Sequence, residues 1–218
     1  SGSNLSNPAG GVVCLTGDAH WNTISQSTIT TYSGVGFNFN SSSSNTLIGS
    51  SVRSTLDYAV VLNGGSCNTI SQSTMSTNNA TPSALYVTNA SSNMISGSYI
   101  ENPLGNAVKF AANGNLNTIQ DSTMTSSDSG AAALNMGAAS SNTVTRSVMS
   151  NTSGWAAYLD GNSNFNTISF STIRTNVASG GPPWMRTAER LDNGASSHTI
   201  RGCFISNLGD AVYILAQS

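Results

Sequence analysis

Few groups in this chain can do acid–base or metal chemistry, and their spacing limits what they can do. Nine carboxylates (Asp18, Asp57, Glu101, Asp121, Asp128, Asp160, Glu189, Asp192 and Asp210) are spread over 218 residues, with one lysine, Lys109, and two histidines, His20 and His198. Hydrolysis of a glycosidic bond needs two carboxylates converging on it. Only Asp160, Glu189 and Asp192 are placed to gather, and Glu189 falls at an inward position, where it needs a partner such as Arg186 or a raised pKa. Elimination would need an acidic metal cluster beside Lys109, whose column neighbours are Tyr86 and Asn135. Asp160 stacked with Asp192 offers at most two hard oxygen ligands for Ca²⁺. The histidines are too far apart for a Ser-His-Asp arrangement, and no glycine-rich phosphate loop is present. Cys14, Cys67 and Cys203, odd in number and without a C-x-x-C pair, read as packing residues.

A second set of groups suits recognition rather than reaction. Trp155, Tyr158, Trp184 and Tyr213 supply flat rings, and Lys109, Asn135, Asp160 and Arg190 supply hydrogen bonds. A sugar ring offers C–H patches to an aromatic face and hydroxyls to polar groups. These residues lie as much as 100 positions apart in the chain, so only a periodic fold can collect them.

The period is visible. Asn22-Thr-Ile-Ser-Gln-Ser-Thr-Ile-Thr30 returns from Asn45, Asn68, Asn93, Asn117, Asn142 and Asn166, and in altered form from His198, at steps of 23, 23, 25, 24, 25, 24 and 32 residues. The third position (Ile24 to Ile200) and the eighth (Ile29 to Ile205) are apolar in every copy, and the sixth is Ser until Cys203. A second run precedes each Asn with in-out-in alternation, as in Leu85-Tyr86-Val87 and Ala157-Tyr158-Leu159. This is the pattern of short strands with one buried face, and no 3.6-residue helical pattern appears. One such unit cannot bury its apolar side chains alone, so the copies must stack. Nine rungs make a rod of roughly 40 Å, with the first Asn of each phrase forming a hydrogen-bonded ladder and His198 ending it.

Stacking aligns an outward column: Cys14, Asn38, Val61, Tyr86, Lys109, Asn135, Tyr158, Arg190 and Tyr213. Ala156, Ala188 and Ala211, just before the strands, are expected to leave a trough beside it. The long step holds an insertion, residues 178–187, that carries Trp184 and is expected to bulge toward Trp155, since solenoid insertions form loops on one face. Thr28/Thr30 and Thr123/Thr125 form outward T-x-T pairs of the kind an ice-binding array uses, but Arg53, Tyr99, Glu101 and Arg174 interrupt those columns.

The motif N-T-[ILV]-x-x-S-x-[ILMV] resembles the right-handed parallel β-helix proteins over essentially the whole chain. That resemblance implies an all-β, single-domain solenoid of about nine rungs. The superfamily holds lyases, hydrolases, epimerases, tailspikes, adhesins and carbohydrate-binding modules attached to gut-bacterial xylanases, so fold alone does not select a function. The expectation is a non-catalytic module that binds a plant polysaccharide, preferably xylan. The alternatives are a β-helix lyase or hydrolase and a structural or adhesin rod. No cofactor is expected beyond a possible Ca²⁺. The opening Ser1-Gly2-Ser3 reads as a cloning scar, and residues 4–218 as a module excised from a larger secreted bacterial protein with a linked catalytic domain. Charged residues are 7% of the chain and net charge is -2, which supplies no basic field for nucleic acid. No apolar run approaches the ~20 residues that span a bilayer.

Overall fold

A computed structural model describes residues 2–177, 187–192 and 194–214, with backbone only for 213 and 214. The inserted residues 178–186, including Trp184 and Arg186, lie outside the described residues. Among the described residues every regular element is a strand, and no helix is long and apolar enough to cross a membrane. Each coil contributes one strand to each of three parallel sheets. Sheet 1 runs from Asn4–Asn7 and Thr28–Thr31 to Phe204–Ser206, with nine strands. Sheet 2 runs from Val13–Thr16 to Asp210–Ile214, also with nine. Sheet 3 runs from Thr23–Ser25 to Thr199–Arg201, with eight.

Strand neighbours are one repeat apart, so like stacks on like. Ile24 pairs with Leu47 and Ile29 with Val52. The inward positions fill the core: Ile29, Val52, Met75, Ile100, Met124, Met149 and Ile173 from sheet 1 are fully buried, as are Leu47, Ile70, Ile95, Ile119, Val144 and Ile168 from sheet 3. Each such side chain contributes roughly 1.5–3 kcal/mol by leaving water.

The corners are built from two ladders. From Asn45 onward each ladder Asn Oδ1 accepts the backbone N–H and the Nδ2–H of the Asn one coil earlier, as Asn117 does from Asn93 at 2.9 and 3.0 Å. From Ser50 to Ser171 each sixth-position Ser Oγ accepts the preceding coil's Ser N–H at 3.1–3.2 Å. It donates to the carbonyl two residues before it, as Ser122 does to Gln120 at 2.8 Å. At the last full copy the Asn166 N–H donates to His198 Nδ1 at 3.2 Å. Burial holds His198 below its ordinary pKa, so the ring is neutral, with the accepting nitrogen on the ladder side. The ladder and its His198 terminus follow the expectation.

The repeat did not reveal how the chain bends. The residue before every ladder Asn is left-handed, from Trp21 (φ 57) through Leu116 (φ 59) and Phe165 (φ 56) to Ser197 (φ 56). So is the residue before every ladder Ser, including Gln26, Asp121, Arg146 and Phe170. A non-glycine residue there costs about 1–2 kcal/mol. The adjoining ladder bonds hold the turn, and the side chain points to solvent, so its type is free to vary: Trp21 is 82% exposed.

The expected trough is corrected. Ala59, Ala84, Ala107, Ala133, Ala156 and Ala188 are fully buried and belong to the core. The chain turns from sheet 1 into sheet 2 at that point, so two consecutive residues, such as Ala156 and Ala157, both face inward. The space is tight. A Cβ on Gly36, the equivalent residue two coils in, would meet Val52 Cγ1 at 2.6 Å and the Ala59 carbonyl oxygen at 2.7 Å.

Candidate functional site

Sheet 2 carries the expected outward column in register. Cys14 pairs with Asn38, Asn38 with Val61, Val61 with Tyr86, Tyr86 with Lys109, Lys109 with Asn135, Asn135 with Tyr158, Tyr158 with Arg190, and Arg190 with Tyr213. The position of Tyr213 is therefore known by backbone register. Tyr86, Lys109, Asn135, Tyr158 and Arg190 are all half-buried.

At the C-terminal end of the column four residues form one cluster. Trp155 and Tyr158 lie on one strand, Trp155–Asp160, with ring centroids 5.0 Å apart and planes inclined by 30°. The Arg190 guanidinium, one coil on, sits 5.1 Å from each ring. It forms an ion pair with Asp192, whose carboxylate is almost wholly buried. Cation–π contact of this kind is worth about 0.5–2 kcal/mol and grows with desolvation. Tyr158 is held well above its ordinary pKa, first by burial and then by its hydrogen bond to Asp160. The phenol therefore stays protonated and donates to that carboxylate. The result is a preorganised wall: rings fixed by an arginine, the arginine fixed by an aspartate, and a tyrosine hydroxyl fixed by a second aspartate.

A second aromatic pair occupies the same face. Tyr58 and Tyr86 stack at 4.8 Å and 30°. Tyr58 precedes Val60 by two residues, just as Trp155 precedes Ala157, so the two pairs draw on equivalent columns. Burial, then the charges of Tyr86 and Asp57, raise the Tyr58 pKa. Sequence reading missed Tyr58 because it lies in the turn ahead of the alternating run. Lys109 and Asn135 fill the two rungs between the pairs, and Tyr86 stands three rungs, roughly 14 Å, from Tyr158.

The three acidic residues placed to gather do not converge. Asp160 and Asp192 follow the in-register pair Leu159 and Leu191 on adjacent rungs, where Tyr158 and Arg190 engage them. Glu189 points the other way, into the core, in register with Ala157 and Val212. Among the described residues neither of its carboxylate oxygens has a hydrogen-bond partner. Burial alone pushes its pKa up to about 7. Among the described residues no three His, Cys, Asp or Glu side chains come together as a metal site.

The profile for the right handed beta helix region matches residues 1–135 and, overlapping, 35–188. The A-module of Azotobacter vinelandii mannuronan C-5 epimerase AlgE4 is similar in structure, with TM-score 0.60 and 14% identity over 89% of this chain and 57% of that one. A mutant tailspike protein of E. coli bacteriophage HK620, solved with a pentasaccharide, superposes with TM-score 0.50 and 13% identity over 96% of this chain and 51% of that one. At these identities the likeness is one of fold, and the chain spans little more than half the length of either neighbour. No curated protein matches it in sequence.

Proposed function

This chain belongs to the right-handed β-helix family, and from that premise we propose that it is a non-catalytic carbohydrate-binding module. Its ligand is an extended plant polysaccharide held along the outward face of sheet 2. The observation that carries this reading is the single wall formed by Trp155, Tyr158 and Arg190 on adjacent rungs, continued by Asn135, Lys109 and the Tyr58–Tyr86 pair. Rings fixed in place give apolar contact at little entropic cost, and the flanking amide, ammonium and carboxylate groups match hydroxyls that both donate and accept. The sequence expectation adds Trp184 and Tyr213, whose side chains lie outside the described residues. Xylan is the preferred ligand, a choice supported by the resemblance of the repeat to xylanase-attached modules. The same resemblance supports a secreted parent protein with a linked catalytic domain.

Affinity gel electrophoresis against xylan, pectin, alginate and cellulose tests the reading. Xylan is expected to retard the protein most, and a Trp155→Ala/Tyr158→Ala variant is expected to bind roughly tenfold or more weakly, the effect of losing about 1.4 kcal/mol of ring contact. Equal mobility with and without every glycan would remove the proposal. A lyase or hydrolase would instead release unsaturated or reducing ends, and that signal should vanish in Glu189→Gln. The inward orientation of Glu189 weighs against this alternative. A purely structural rod predicts neither retardation nor product.

A further inference from the structure

The described residues also form two concave surfaces on sheet 1. One cavity of about 380 Å³ has Thr30 on its floor, with Pro8 and Tyr32 on its rim. A second, of about 290 Å³, is framed by Arg53, Ser76, Asn78 and Glu101. Register sets them end to end, and we treat the two together as one groove. Ser6, Thr30, Arg53, Ser76 and Glu101 are successive members of a single outward column. The rim residues come from equivalent turns as the chain leaves sheet 1. The groove therefore runs parallel to the rod axis for four strand spacings, roughly 19 Å.

Its walls have a definite chemistry. Tyr32 is 58% exposed and offers a ring at one end. Farther along, Arg53 and Glu101 flank Ser76, and their side chains make no ion pair or hydrogen bond with any described residue. Two rungs separate them, about 10 Å, so a donor-only fork and an acceptor-only carboxylate face the groove without neutralising each other. A polymer with a carboxylate on every residue advances by about one rung per sugar. In a ribbon-like twofold chain, alternate residues face the same way about two rungs apart, so a register that placed one carboxylate at Arg53 would place another at Glu101. A chain with an amine on every residue meets the opposite conflict. A neutral sugar avoids both, because each hydroxyl can accept from Arg53 and donate to Glu101.

We propose that this groove is a second saccharide site, independent of the sheet 2 wall and selective for an extended neutral oligosaccharide over uniformly charged ones. Amide and indole NMR shifts test it with xylohexaose, cellohexaose, hexagalacturonate and the hexamer of glucosamine as probes. A neutral hexamer is expected to shift the amides of Thr30, Arg53, Ser76 and Glu101, and those shifts persist in Trp155→Ala. They disappear in Arg53→Ala/Glu101→Gln, where Arg53 is exposed and Glu101 half-buried; an unchanged remainder of the spectrum confirms that the fold is intact. The charged hexamers are expected to bind this groove roughly tenfold more weakly, reflecting one like-charge contact. The proposal is overturned by absence of groove shifts with both neutral hexamers at millimolar concentration, by shifts that survive the double variant, or by tighter binding of either charged hexamer. The Trp155 indole signal reports the sheet 2 wall separately, so failure at one face is distinguishable from failure at the other.

Discussion

Replacing Asn117 by alanine is expected to destabilise the protein by about 3–5 kcal/mol, since each buried polar group left unpaired costs roughly 1–3 kcal/mol. Asn117 is 1% exposed. Its Oδ1 accepts the Asn93 N–H and Nδ2–H, and its Nδ2 donates to the Ala90 and Asn115 carbonyls and to Asn142 Oδ1. Alanine orphans the Asn93 amide and the Ala90 carbonyl, both deep in a corner that also holds Leu116 in a left-handed conformation. Asn117→Asp is expected to be worse. It keeps the acceptor but loses the donors, and it buries a charge between carbonyl oxygens. The control is built into the ladder. Asn22, in the first copy, is exposed and only donates through its side chain, to His20 and Asn45, so Asn22→Ala should cost about 1 kcal/mol or less. Urea midpoints of the two alanine variants decide the matter, and equal losses at the two positions would show that the ladder is not what holds the corners.

Glu189→Leu is expected to stabilise the protein above neutral pH. The carboxyl titrates near 7 in the folded chain against an ordinary 4.5. Below pH 4.5 it is protonated in both states and imposes no titration penalty. Between 4.5 and 7 the unfolded chain releases the proton while the folded chain keeps it, so stability falls as pH rises. Above 7 the loss is complete, at about 3 kcal/mol. Leucine restores the inward pattern set by Leu85, Val108 and Leu134 and has no proton to lose. Wild type and variant should therefore differ most at pH 8, with the gap closing toward pH 4. Every other carboxylate is common to the two proteins, so the difference isolates Glu189. A gap of the same size at both pH values would mean that burial of this carboxylate is not the cause.

Both expectations come from rows of residues one coil apart, and these were the most legible part of the sequence. In a solenoid the chain's period is also its spatial neighbour relation, so Asn at the first position and Ser at the sixth of every copy before the last implied direct contact between residues about two dozen apart. The apolar third and eighth positions marked the core for the same reason. Alternation also placed Tyr158 outward and Glu189 inward, as observed. Strict alternation failed at Ala156, because it describes a straight strand and the chain bends there. It failed at Tyr58 too, which reaches the wall from a turn.

The sequence by itself therefore determined the architecture, the asparagine ladder and the membership of the outward column, because stacking converts repetition directly into contact. Only the tertiary structure decided the rest. It showed which corner residues turn left-handed, that the sixth-position serines form a second ladder, that Ala156 and Ala188 pack inside, that Arg190 reaches two rings and Asp192 at once, that Glu189 has no partner among the described residues, and that two concave surfaces lie on sheet 1. Those features depend on side-chain reach and on the angle between sheets. Neither is periodic along the chain, so no repeat in the letters could record them.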